Sequence, residues 1–319
     1  MRINKFFFLC FLLQASQIFG WGFAAHKQIN RYAVFTLPPA MFRFYKYYLA
    51  YITENAIKPD QRRYVLEGEA AKHYIDLDYY RHKDTNFIST VTYWDQALEC
   101  CPHDILLVHG TLPWHIEKIK KELTRAFRQK KLVEILKLST DLGHYLADAN
   151  VPLHTTENYD GQLSGQEGIH GLWETCIPAL FSEAYDFFLG QANYISNSQQ
   201  RAWESVWQAH HAVDSVLSVE RKLAESFASL QQYSFEQKGT VLKKGYSKAY
   251  VEAYHALLDG QVERQMRASI QLVGDFWLTC WIDAGKPNLD DLIAYHLDAS
   301  QLEENFNQGK KLIVRGCQD

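Results

Sequence analysis

After residue 20 this 319-residue chain contains no apolar run approaching the ~20 residues that a membrane-spanning helix requires, so its body offers no transmembrane anchor. It also has no excess of positive charge: 33 Lys and Arg stand against 37 Asp and Glu. A protein that holds nucleic acid stably on its own basic surface would carry the opposite balance, so no stable nucleic-acid complex is expected. Proline is missing from Ala179 to Lys286, and nothing in that span forces a helix to break. There is no internal repeat, low-complexity tract or Gly/Ser linker, which excludes solenoids and beads-on-a-string arrangements. The richest cluster of histidines and acids contains no cysteine, which argues against a thiolate structural zinc finger there.

The first twenty residues are unlike the rest. Arg2 and Lys5 precede the apolar Phe6–Leu13, and Gln14–Gly20 is more polar and ends in a small residue. That order is the grammar of a secretory signal peptide and predicts an exported protein, periplasmic or extracellular. Removing residues 1–20 takes Arg2 and Lys5 away and moves the formal charge from −4 to −6. Cys100, Cys101, Cys176, Cys280 and Cys317 then remain. An odd number of cysteines leaves at least one free or paired between chains, and spacing alone chooses no partners. Oligomeric state is equally illegible.

The remainder, 21–319, reads as one all-α domain. Between Ala202 and Leu230, Trp203, Val206, Trp207, Val213, Leu217, Leu223 and Phe227 recur mostly three or four residues apart. From Val262 the same spacing runs through Met266, Ile270, Val273, Trp277 and Trp281. Such spacing gives amphipathic helices rather than strands. Prolines gather instead at Pro38–Pro39, Pro59, Pro102, Pro113, Pro152, Pro178 and Pro287, where turns between helices are predicted.

Chemistry concentrates between His144 and Glu174. His144/Asp148 and His170/Glu174 each have i,i+4 spacing, which places both side chains on one helical face, and His154 lies between the pairs. Neutral imidazole and carboxylate are zinc donors, and a mixed set of this kind suits a catalytic site better than a closed structural one. Four weaker signals lie upstream: Trp21, which signal cleavage would make N-terminal; His26; Asp60 after Pro59; and His73. A free terminal amine and its own carbonyl oxygen can chelate a metal, which no internal residue can do. Other histidines, among them His103, His109, His115, His210, His211 and His255, read as structural. Trp114 reads as core, and Arg62–Arg63 with Lys118, Lys120 and Lys121 read as solvated faces.

The ordered string of Trp21, His26, Pro59–Asp60, His73, His144-x3-Asp148, Pro152–Leu153–His154 and His170-x3-Glu174 resembles the zinc-dependent phospholipase C and single-strand-specific nuclease superfamily. The resemblance implies a compact helical bundle around three zinc ions. One zinc would be held by Trp21, His26 and Asp148, and a second by Asp60, His73, His144 and the shared Asp148. The third would be held by His154, His170 and Glu174. It also implies hydrolysis of a phosphodiester, with Asp60 in a second role as the base that orients or deprotonates the attacking water. Three dications against three ligand carboxylates would make the cleft positive in an acidic protein.

On substrate, Glu174 in place of aspartate and a short His154-to-His170 loop lean toward the phospholipase C side. The acid and aromatics of that side's choline box are replaced by Ala24, Gln61 and Ala70, so the headgroup is not choline by this pattern. A nuclease releasing 5′-nucleotides is the alternative enzyme. A zinc-binding exported module without turnover is the alternative outside enzymes. The expected partner is a phosphodiester, either a phospholipid headgroup or a nucleotide.

Overall fold

The computed structural model describes residues 22–83, 91–238 and 241–293. Trp21, the signal-like segment 1–20 and Cys317 therefore lie outside the described residues. Within them the protein is all-α apart from one hairpin, in which Tyr233–Lys238 pairs antiparallel with Val241–Tyr246.

The helix Leu132–Asp148 sits at the centre. It follows Leu112–Arg128 through a three-residue turn, so the two form a helical hairpin, and it also packs against Phe23–Ala33 and Gln261–Asp283. Its sequence explains this position. From Leu142 to Asp148 every residue is buried, so this end has no solvent face and must be enclosed by other helices. Trp277 from Gln261–Asp283 is fully buried beside it, stacks on Tyr45 at 4.8 Å and donates its indole N–H to the Ser139 carbonyl at 3.0 Å. Trp277 thus buries its ring while its polar atom finds a partner. Pro39, Pro59, Pro113, Pro152 and Pro178 each stand in the first turn of a helical segment, where a missing backbone N–H costs nothing.

The proline-free span is nevertheless interrupted. Ser198–His210 and Val213–Ser226 are separate helices, and Lys248–Leu257 ends ahead of Gly260, which adopts a left-handed conformation as the cap of Gln261–Asp283. The hairpin lies between. Trp203 and Trp207 occupy one helix while Leu217 and Leu223 occupy the next, so an apolar period that runs on across a turn is not one continuous helix.

One glycine determines how closely the centre packs. A Cβ on Gly143 would stand 2.1 Å from the Asn30 side-chain oxygen, and Asn30 is fully buried with its amide donating to the Thr140 carbonyl at 3.2 Å. Gly143 therefore lets the helix bearing His26 approach the helix bearing His144 until their rings stack at 3.8 Å. Gly143→Ala is expected to lower stability by about 1–3 kcal/mol through overpacking. It should also weaken metal binding by separating the two rings. Urea unfolding together with a zinc titration would check both.

Cys100, Cys101, Cys176 and Cys280 fall in the described residues, and the Cys100 and Cys280 thiols are free there. Among the described residues no helix is long and apolar enough to cross a membrane.

Candidate metal centre

Eight of the nine residues singled out in the sequence converge. His26 comes from Phe23–Ala33, Asp60 from the short helix Lys58–Arg62, and His73 from the end of the 3-10 turn Ala70–Lys72. His144 and Asp148 come from Leu132–Asp148, and His154 from the 3-10 turn Pro152–Thr155. His170 and Glu174 stand in the Ile169–Gly171 turn and the segment that follows. Donor atoms in three groups lie within 4.8 Å of one another: His26 with His144 and Asp148; Asp60 with His73 and His144; and His154 with His170 and Glu174. All eight residues are buried.

Asp148 is the hub. Its Oδ2 lies 2.9 Å from His73 Nδ1 and 3.3 Å from His144 Nε2, and its Oδ1 lies 3.4 Å from His26 Nε2. The resemblance pairs His144 with Asp60 and His73, and the structure places His144 Nε2 3.6 Å from Asp60 Oδ1. It also brings His144 against His26, so this imidazole faces both groups. In the third group Glu174 Oε2 is 3.0 Å from His170 Nε2 and 3.4 Å from His154 Nε2. The His170/Glu174 spacing is not met on an ordinary helix: Glu174 belongs to a π-helical segment, Leu172–Cys176, a wider turn often found at functional sites.

The imidazoles are set by their other nitrogen. Nδ1 of His144 pairs with the Ala56 carbonyl at 2.8 Å, that of His154 with the His73 carbonyl at 2.5 Å, and that of His170 with the Tyr159 carbonyl at 2.8 Å. A carbonyl only accepts, so each Nδ1 carries the proton when the ring is neutral and each Nε2 presents a lone pair to the cluster. Metal-binding histidines are oriented in this way.

The charges conflict unless a cation is present. Burial pushes the Asp60 carboxyl up to about 7, and it lowers His26 to about 4 and His73 to about 3. Burial also works against a charged His144, yet Asp148 and Asp60 raise it to about 9. Asp148 lies well below the usual carboxylate range despite burial, because His144 and His154 face it. Neither ring nitrogen of His26, neither carboxylate oxygen of Asp60 or Glu174, nor Oδ1 of Asp148 makes a hydrogen bond among the described residues, although all are buried. Buried polar atoms are rarely left so, and imidazole with carboxylate is a zinc donor set, so these residues fit the metal.

The two arginines read as solvated are buried instead. Arg62 ties Glu69 at 3.1 Å and Asp141 at 2.9 Å, and Tyr145 donates to Glu69 at 2.6 Å. The Leu132–Asp148 helix covers them, and no local spacing could signal that. Burial disfavours the Glu69 carboxylate, but Arg62 and Lys72 outweigh it and hold it well below its ordinary range. This network lies against the donors, since Tyr145 meets His73 edge-on at 5.2 Å. Arg62→Met would remove the guanidinium that two buried carboxylates share, and urea unfolding should show a loss of about 3–5 kcal/mol. Arg63 has its guanidinium 3.8 Å from Asp60 and lines one cavity with His73, Tyr74, Leu153, His154, Tyr159 and His170. It is the residue that sequence reasoning missed. Its only signal was an arginine three residues after Asp60. Lys120 is likewise no solvated residue, because it is half-buried against Asp283 at 2.6 Å. Trp114 is core, donating to the Val91 carbonyl at 3.1 Å.

No family model matches the sequence, and no curated protein matches it. Among solved structures the chain is similar to an alpha toxin from Clostridium absonum, with 12% identity over 83% of this chain and a TM-score of 0.43. The aligned part spans 64% of that toxin's length.

Proposed function

We propose that this protein is an exported, zinc-dependent hydrolase of phosphodiesters, phospholipase C-like in its substrate class. The observation that carries the reading is the convergence of eight buried imidazoles and carboxylates, with oriented lone pairs and unbonded oxygens, around Asp148. His26 and Asp148, with Trp21, would hold one zinc. Asp60, His73, His144 and Asp148 would hold the second, and His154, His170 and Glu174 the third. Zinc held there would supply Lewis acidity and lower the pKa of a water from about 15.7 toward about 7.

The chain's own groups complete the chemistry. Arg63 brings a fixed positive charge to the cavity wall, where it can pair with a phosphate oxygen through two N–H groups. Asp60, with Arg63 on one side and His144 on the other, can accept the proton of an attacking water through whichever oxygen is not engaged as a ligand. Tyr74, Leu153 and Tyr159 close the cavity with apolar surface, which strengthens every charge interaction inside it. The Glu174 carboxylate and the short loop before His170 favour lipid phosphodiesters over nucleic acid.

Zinc analysis combined with a substrate panel tests this. Purified protein should hold zinc and release phosphorylated headgroup from mixed phospholipid vesicles, and a chelator should abolish that release. Inertness on every lipid class with cleavage of single-stranded DNA or RNA would transfer the site to the nuclease reading. Full zinc occupancy without turnover of any phosphodiester would make it a binding module.

A further inference from the structure

Outside the eight-residue cluster, one other group of donors comes together among the described residues. Asp76 follows the 3-10 turn that ends in His73, His109 closes the short helix His103–His109, and Glu157 lies in the loop after His154. His109 Nδ1 lies 3.0 Å from Asp76 Oδ2 and 3.9 Å from Glu157 Oε1, and the three donor atoms fall within 4.8 Å of one another. None of the three belongs to the cluster around Asp148.

We propose that Asp76, His109 and Glu157 form a further divalent-cation site, for zinc or a similar first-row ion, at the mouth of the candidate active-site cavity. A His109 N–H can serve one carboxylate well, but here two carboxylates converge on the same nitrogen. A dication shared by both relieves their mutual repulsion. The spacing fits: with Zn–N and Zn–O bonds of about 2.0–2.1 Å, tetrahedral donors stand roughly 3.3 Å apart, between the two distances here.

The ring is also held in place. Tyr79 lies parallel to it, 3.3 Å away at 11°, and the Asp76 backbone N–H donates to the His109 carbonyl at 2.8 Å. The Glu157 backbone is pinned by its N–H to Asp78 at 3.0 Å, while its side chain stays partly exposed. One imidazole and two carboxylates, with room for water on the solvent side, make an open site of moderate affinity.

The location gives the site a use. Asp76 lines the inner cavity together with His73, His154 and His170, and it lines an outer cavity of about 520 Å³ together with His109 and Glu157. A cation bound at this junction would place positive charge where an incoming phosphodiester passes from one cavity to the other.

The test counts ions. Wild type, Glu157→Gln and His109→Ala are equilibrated with buffered free zinc, and bound metal is measured by mass spectrometry. Both variants are expected to hold one zinc fewer than wild type per chain. Equal counts in wild type and Glu157→Gln overturn the proposal, because Glu157 is a partly exposed loop residue whose amide leaves the fold intact. The number of ions that remains in both variants reports separately on the Asp148-centred cluster, so the two readings can fail independently.

Discussion

Stripping the metal with a chelator at pH 7.5 is expected to lower the melting temperature by roughly 10 °C per ion removed. The size follows from linkage: a ligand present at about a thousand times its dissociation constant stabilises the native state by about 4 kcal/mol. For a chain of this size each kcal/mol moves the midpoint by roughly 2–4 °C. The cause is the buried charge at the centre. Without a cation, Asp60, Asp148 and Glu174 share one core with five imidazoles, and the carboxylate oxygens of Asp60 and Glu174 make no hydrogen bond among the described residues.

The effect should grow with pH. In the metal-free protein Asp60 is raised from 3.8 to about 7, so its contribution to stability is present below 3.8 and lost as pH climbs through 7. His144, raised from 6.5 to about 9, loses its contribution over a higher window in the same direction. Protons also compete with metal for the same donors. The difference in melting temperature between loaded and stripped protein should therefore be small at pH 5 and largest near pH 8. A difference that stayed flat across that range, or no shift on chelation at all, would remove the metal-centre reading.

Asp148→Asn is expected to reduce phosphodiester hydrolysis by far more than the ~100-fold that loss of an outer hydrogen-bond partner of a metal ligand can produce. The carboxylate faces His73 and His144 with one oxygen and His26 with the other, so it can serve two proposed sites at once. An amide keeps the shape but loses the charge and turns one acceptor into a donor, which then points at imidazole nitrogens. Zinc analysis should show two ions lost while the His154–His170–Glu174 site keeps its own. Steady-state rates on vesicle substrates, with zinc counted in the same sample, would measure both. A variant that kept all its metal and most of its activity would show that Asp148 bridges nothing.

Much of this centre is legible in the linear chain because metal donors are chemically distinctive and regular spacing carries them. His144 and Asp148 are one turn apart on a helix, as i,i+4 spacing demands, and the Pro59–Asp60 and Pro152–His154 strings fall in short turns, as proline demands. His170 and Glu174 meet for a different reason: a π-helical turn, which no periodicity reveals. Arg62 and Arg63 were misread because a charge next to a turn is normally hydrated, and only the covering helix, with Asp141 and Tyr145 on it, makes burial tolerable. The hairpin from Tyr233 to Tyr246 escaped a reading tuned to helical spacing.

By itself, then, the sequence determined the all-α class and the kinds of donor available, since apolar spacing and residue chemistry are local properties of the chain. Only the tertiary structure decided which donors share a neighbour. It made Asp148 the hub, aligned three Nε2 lone pairs by tying each Nδ1 to a distant carbonyl, and brought Asp76, His109 and Glu157 together across 81 residues of chain. The physical reason is the same in each case. Convergence depends on how helices pack, and here that packing rests on contacts such as Gly143 against Asn30, where the absence of a single methyl group sets the distance between the helices that carry His26 and His144.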